Sequence, residues 1–260
     1  MIQPHFKTSI TGVPILKNAA IEADAERILR DYNPSLLDAP QALDVDDFAE
    51  NYLGLRIHYD NLSHNGSILG RMVFYNSRIP VYLPLLERAE YCIVDAGTIL
   101  IDNSLEAEGR KAVFRSTMMH ECGHKVYHTQ YYRGESEPST WLTSACTKPP
   151  ATACRYADIT SSRSDERLKL VSDHDWLEHQ AKYFSSAMLM PAIMVRRVYD
   201  ELEIGENMRI SGNKASELDF IFWLANIFQV SNYSAEVRIR QLHLDFKSHK
   251  AVNPSMIGIA

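Results

Sequence analysis

The run His120-Glu121-Cys122-Gly123-His124 puts two imidazoles four residues apart with a carboxylate between them. With ten histidines in the chain, random placement of its His and Glu residues would give about 0.02 H-E-x-x-H matches. On a helix turning about 100° per residue from His120, His124 falls at about 40°, His128 at about 80° and Glu121 at about 100°. Met119, Cys122 and Val126 fall on the opposite side. Two imidazoles one turn apart can share one ion at about 2.0–2.1 Å, the Zn–N distance. Glu121 is offset from that pair, as a general base beside an ion-held water would be. It would take the water's proton and return it to a leaving amine. Cys122 faces away and is expected to pack as a small apolar residue.

A catalytic zinc keeps three protein ligands and one open position. The third ligand must come from elsewhere, and His128, His174, Asp175, Glu178 and His179 are the downstream candidates. Glu178 lies in WLEHQAKYFSSAMLMP, Trp176 to Pro191. There Leu177, Ala181, Phe184 and Met188 form an apolar stripe, and Glu178 sits off it with Lys182, Ser185 and Leu189. A helical Glu off the apolar face is usually solvated, so spacing alone leaves the third ligand open. Tyr127, Tyr156 and His128 are candidate donors to a developing oxyanion.

These residues need elements to hold them. Asn18 to Tyr32 carries Ile21, Ala25, Ile28 and Leu29 on one stripe and reads as a helix, ended by Asn33-Pro34. Asp44 can cap a short helix from Val45 to Tyr52, followed by Gly54. Leu55–Tyr59, Ile68–Tyr75 and Ile79–Leu83 read as strands, with hairpin turns expected at Asn65-Gly66 and Asn76-Ser77. Tyr91–Val94 and Thr98–Ile101 are expected to pair around Asp95-Ala96-Gly97. Helix is predicted from Glu106 to about His128, again from Asp175 to Met190 before Pro191, and between Ser216 and Leu244. Between them, Thr129 to Asp173 is polar and irregular, with Pro149-Pro150 and the run Thr160 to Ser164. A connection that long points to a lid, a recognition loop or an insertion.

The fold class expected is α+β: helices with a small, mostly antiparallel sheet packed on the H-E-x-x-H helix. One domain is expected over residues 1–245. It would comprise a helical part (1–54), a sheet (55–105), catalytic helices (106–191, with loop 129–173) and C-terminal helices (192–245), before a tail at 246–260. The 260 residues contain 45% hydrophobic and 23% charged residues, which excludes disordered, collagenous and coiled-coil chains. The net charge of −6 argues against binding nucleic acid by bulk charge. Four cysteines, Cys92, Cys122, Cys146 and Cys154, are too few for a disulfide scaffold. Cys146 and Cys154 lack the C-x-x-C spacing of a second metal site. The start, MIQPHFKTSITG, shows no secretory pattern, and no stretch approaches bilayer length. A cytoplasmic protein with no membrane partner is the expectation.

The chain resembles the ImmA/IrrE family of metallopeptidases, a gluzincin-like group with a zincin-like core and His, His and Glu ligands. RIPVYLPLLERAEYCIVDAGTILIDNSL (Arg78 to Leu105), MMHECGHKVYH (Met118 to His128) and WLEHQAKYFSSAMLMP carry the likeness, which spans roughly residues 18–245. The resemblance implies that His120, His124 and Glu178 are the metal ligands and Glu121 the catalytic base. His128 matches a frequent family position and would support the ligands from outside. His174 and Tyr156 stay as further candidates around the site. The implied cofactor is one Zn²⁺ per chain, with Mn²⁺ an alternative for such a donor set. The implied partner is a narrow protein substrate, such as a helix-turn-helix transcriptional repressor. The segment 129–173 is longer than in compact members.

Leu224 to Ser231 followed by Ala235 to Leu242 itself resembles a helix-turn-helix, with Arg238 and Arg240 on its second helix. Packing against the core is the expectation, and direct nucleic-acid binding is not expected. Two further functions stay open. One is a non-enzymatic regulatory or DNA-associated protein using the same fold with a structural or absent metal. The other is a metallohydrolase, such as an amidase, acting on a non-protein substrate.

Overall fold

The computed structural model describes residues 2–133, 148–156, 159, 170–205 and 217–244. Its class is α+β, with a small and mostly antiparallel sheet.

Helix α1 (Asn18–Tyr32) has the predicted bounds and buries Ile21, Ala25, Ile28 and Leu29. The Asn33 side chain caps a 3-10 turn begun by Pro34. Helix α2 (Val45–Asp47) starts at Asp44, whose carboxylate accepts from Asp47 N, and continues into a π-helical turn, Phe48–Tyr52. Gly54 follows at φ 65, a left-handed conformation suited to glycine.

Five strands follow: β1 (Arg56–Asp60), β2 (Ile68–Val73), β3 (Ser77–Leu83), β4 (Arg88–Val94) and β5 (Thr98–Asp102). Their pairing departs from the expected run of hairpins. β5 lies between β1 and β2, parallel to the first and antiparallel to the second, while β3 and β4 form a separate two-stranded ribbon. Asn65-Gly66 therefore does not join paired strands, and Asp95-Ala96-Gly97 links β4 of the ribbon to β5 of the sheet. The reason is burial: every residue of β5 is buried, and such a strand is stable only inside a sheet with both faces covered.

Helix α3 (Lys111–Arg133) crosses the sheet against β2 and β5. The helix predicted from Glu106 begins later because Asn103–Glu106 is a 3-10 turn and Gly109 takes φ 81. It also runs past His128 to Arg133, so the irregular connection is shorter than expected. Part of that connection is not irregular. β6 (Cys154–Arg155) adds to the outer edge of β2, giving the order β1-β5-β2-β6. Cys146 and the Thr160–Ser164 run lie outside the described residues, as does the tail 246–260.

Helix α4 (Asp173–Leu189) starts two residues earlier than predicted. Ser172 and Asp175 form a reciprocal capping box that satisfies two orphan backbone donors. α4 packs against α3 on one side and α1 on another. After Pro191 come α5 (Ala192–Gly205), α6 (Glu217–Phe228) and α7 (Asn232–Gln241). The turn between α6 and α7 passes through Gln229 at φ 52, and the Ser231 side chain caps α7. Arg238 of α7 does not face outward. It is fully buried, donates from Nε to Met190 O at 2.8 Å and holds Glu22 of α1 through both terminal nitrogens at 2.6 and 2.8 Å. Arg240 pairs with Glu236 along its own helix. Among the described residues no helix is long and apolar enough to cross a membrane.

Candidate metal centre

His120, Glu121, His124 and His128 are all fully buried on α3, between the sheet and α4. Two glycines permit that closeness. A Cβ on Gly123 would stand 3.1 Å from Ala181 Cα and 3.2 Å from Ala181 O, so only glycine lets α4 come this near. A Cβ on Gly70 of β2 would stand 2.7 Å from the Thr117 methyl and 3.1 Å from Glu121 Oε1. Gly70 thus seats the sheet directly on the helix.

The close α3–α4 approach brings Glu178 to the two imidazoles. His120 Nε2 and His124 Nε2 are 3.0 Å apart, and the Glu178 carboxylate oxygens lie 3.2 Å from His120 Nε2 and 3.3 Å from His124 Nε2. Donors around a tetrahedral ion at about 2.0–2.1 Å stand about 3.3–3.4 Å from one another, so the set is close to the required size. Its chemistry, two imidazoles and a carboxylate, suits a divalent metal. His120 Nδ1 and Glu178 Oε2 are buried without a hydrogen bond.

A chain of hydrogen bonds determines how His124 presents its ring. Gln180 donates its amide nitrogen to Pro14 O at 2.7 Å, which turns its oxygen toward His128 Nε2 at 3.0 Å. His128 Nε2 must therefore carry the hydrogen. His128 Nδ1, 2.9 Å from His124 Nδ1, is then the acceptor, and His124 Nδ1 the donor. That leaves a lone pair on His124 Nε2, aimed at the point Glu178 and His120 share. Burial, and next the neighbouring His124, push His128 well below the ordinary imidazole value, in keeping with a neutral ring. At His120, burial opposes the charge, but the carboxylates of Glu178 and Glu121 outweigh it and raise the pKa. Burial likewise opposes the Glu178 carboxylate, yet His120 and His124 hold it well below the usual range.

Glu121 sits beside this cluster and outside it. Thr152 Oγ1 accepts from Met72 N at 2.7 Å and donates to Glu121 Oε2 at 2.6 Å, while Glu121 Oε1 is buried with no partner. One ring nitrogen of His120, a Glu121 oxygen and the Cys154 sulfur also lie within 4.8 Å of one another.

The other predicted residues sit elsewhere. His174 is at the mouth of the site, with Nδ1 4.0 Å from Glu178 Oε1 and a side chain 66% exposed. His179 Nε2 meets Asn18 Oδ1 at 3.0 Å, and Asp175 is held by the capping box. Tyr127 is buried and donates to Asp24 Oδ2 at 3.2 Å. Tyr156 is 45% exposed beneath the Arg110 guanidinium. His128 is committed at both ring nitrogens. Tyr127 and His128 are thus committed to partners other than a developing oxyanion. Thr152 and Gln180 had no signal of their own in the sequence: each acts through an atom far away along the chain. Cys122 is buried among apolar residues, as its helical angle implied.

A scan against protein-family models finds no match to this chain, and no curated protein matches it.

Proposed function

We propose that this protein is a zinc-dependent endopeptidase of narrow specificity, with His120, His124 and Glu178 as metal ligands and Glu121 as the general base. The observation that carries the reading is the convergence of three buried donor side chains, whose nitrogens and carboxylate oxygens meet at 3.0–3.3 Å, with one unpartnered carboxylate oxygen of Glu121 beside them.

When bound, a divalent ion supplies Lewis acidity and lowers the pKa of a water toward about 7. Glu121, through its unpartnered Oε1, would take a proton from an attacking water and hand it to the leaving amine. Thr152 holds the other oxygen and fixes the direction of the first. Gln180 and His128 hold the His124 ring with its Nε2 lone pair turned inward. An ImmA/IrrE-like core and a helix-turn-helix repressor as substrate belong to the same proposal and rest on the motif likeness.

The test is incubation of zinc-reconstituted protein with a purified helix-turn-helix repressor. Cleavage by wild type, abolished in Glu121→Gln with one ion per chain retained, is the expected result. Equal cleavage by Glu121→Gln overturns the role of the base. An ion needed for folding but no hydrolysis of any peptide would favour a structural site in a regulatory protein.

A further inference from the structure

Residues 148–156 run along the outer edge of β2, the kind of position at which an extended polypeptide adds to a sheet. Pro150 O accepts from Phe74 N at 2.9 Å, Thr152 N donates to Met72 O at 3.1 Å, and Tyr156 N donates to Ser67 O at 2.9 Å. Side chains of the segment take opposite faces. Ala151 packs with Leu62, Val73, Ile79 and Leu100. Thr152 and Cys154 turn toward α3: Thr152 donates to Glu121, and Cys154 pairs with Gly70, whose face touches Thr117 and Glu121. The pairing is irregular. Met72 N donates to the Thr152 hydroxyl, where a regular ladder offers a main-chain carbonyl, and the register shifts between Ile68 and Gly70. A strand in regular register would gain the ladder bond that this segment forgoes. Lys148 fastens one end, its Nζ donating to Tyr131 O at 2.9 Å near the end of α3, where the helix dipole favours a cation. The segment also covers the site. His120, Glu121 and His124 are fully buried, and Thr152 Oγ1 sits on Glu121 at 2.6 Å. A peptide bond therefore reaches Glu121 only if residues 148–156 move.

We propose that residues 148–156 are a built-in pseudosubstrate, holding the edge of β2 until an extended polypeptide with Ser or Thr at the position of Thr152 and a small residue at that of Cys154 takes their place. The inference rests on reading Glu121 as the general base. In the resting form Thr152 orients Glu121. When the segment leaves, the hydroxyl of the incoming strand takes over the bond to Glu121 Oε2, so the base is oriented only by a strand of matching chemistry. The seam admits only a small side chain opposite Gly70, because a Cβ on Gly70 would already stand 2.7 Å from the Thr117 methyl.

Cys154 is fully buried and carries a thiol, not a disulfide, so its alkylation reports release of the segment, while Cys122, buried in the core of α3, reports unfolding of the whole. The experiment is alkylation of the full-length metal-free protein with iodoacetamide, read cysteine by cysteine by mass spectrometry. Local opening costs less than global unfolding, so Cys154 is expected to react at least about tenfold faster than Cys122. The probe is a peptide of the 148–156 sequence carrying Cys154→Ser. It should accelerate Cys154 to a plateau and leave Cys122 unchanged, because a ligand of the open form draws the equilibrium toward it. The same peptide with Thr152→Val should need about tenfold more, for want of a hydrogen bond to a carboxylate. Lys148→Met, outside the site, should speed Cys154 without any peptide. Cys154 and Cys122 reacting at one rate in wild type and in Lys148→Met overturns the proposal, since the segment then moves only with the core. Cys154 indifferent to the peptide in Lys148→Met also overturns it, and equal potency of the two peptides overturns the hydroxyl requirement. None of these readings needs hydrolysis, so they stand or fall apart from the cleavage assay with zinc-loaded protein.

Discussion

His124 can face an ion with a lone pair only because Gln180 is oriented by a main-chain carbonyl fourteen residues from the N-terminus. Gln180→Leu removes the acceptor for the His128 N–H and frees the tautomer. Outer partners of this kind contribute about 10–100-fold to metal affinity, so competition titration with a chelating dye should show zinc affinity falling by that factor while the fold persists. Unchanged affinity would deny the relay. The same residues set a pH dependence in the metal-free protein. His120 is raised above its ordinary 6.5, so its stabilisation is full below pH 6.5 and is lost as pH rises through the folded value. His128 is held well below 6.5, so unfolding takes up a proton there and stability falls as pH drops below 6.5. Glu178, held well below 4.5, adds stability present above that value and lost as pH falls through its folded value. Thermal unfolding in chelator should therefore show greatest stability close to pH 6.5, with the acid-side decline reduced in His128→Phe. The motif made His120, Glu121 and His124 legible from spacing alone. Glu178 was ambiguous because it lies off the Leu177–Met188 stripe, which on a surface helix would mean solvent. Here α4 is covered by α3 as well as α1, and Glu178 is 7% exposed.

At the scale of elements, the site depends on how closely α3 approaches α4 and β2. Gly123→Ala puts a Cβ within 3.2 Å of the Ala181 backbone, and a backbone neighbour cannot rotate away. Overpacking of this kind costs about 1–3 kcal/mol, partly offset by the better helix propensity of alanine, about 1 kcal/mol. Urea unfolding should show a small net loss, while zinc affinity falls more, because the strain separates Glu178 from both imidazoles. Retained affinity would mean that the helices have slack. Helix positions were legible where local signals exist: α1 from its stripe and Asn33-Pro34, α2 from Asp44. Strand pairing was not. The Asn65-Gly66 and Asp95-Ala96-Gly97 turns are genuine local bends, but β5, buried throughout, recruits β1 and β2 from far along the chain. Turn residues report a bend without saying which strand comes to lie beside which. β6 was hidden for a similar reason: two paired residues in a polar segment carry no period.

For the molecule as a whole, the C-terminal helix pair is tied to α1 by Arg238 and Glu22, with Tyr183 in the same network and pushed up to about 12 by burial and by Glu22. The helix-turn-helix likeness in the sequence was a correct reading of two helices and a turn, and the buried guanidinium gives that turn a packing role. Breaking a buried pair from one side costs about 3–5 kcal/mol, because the remaining charge is uncompensated. Glu22→Ala should lower unfolding stability by roughly that amount in denaturant titration, and Glu22→Gln by less. Met190, the residue that caps the C-terminus of α4, has its carbonyl held by Arg238 as well, so the same loss should loosen the helix that carries Glu178.

The most direct test of the central claim is elemental analysis of metal after dialysis, on wild type and on Glu178→Ala, with circular dichroism to verify the fold. One divalent ion per chain in wild type, lost in a folded Glu178→Ala, is the result expected if α3 and α4 share an ion. A full complement of metal in Glu178→Ala, or none in wild type, would contradict it.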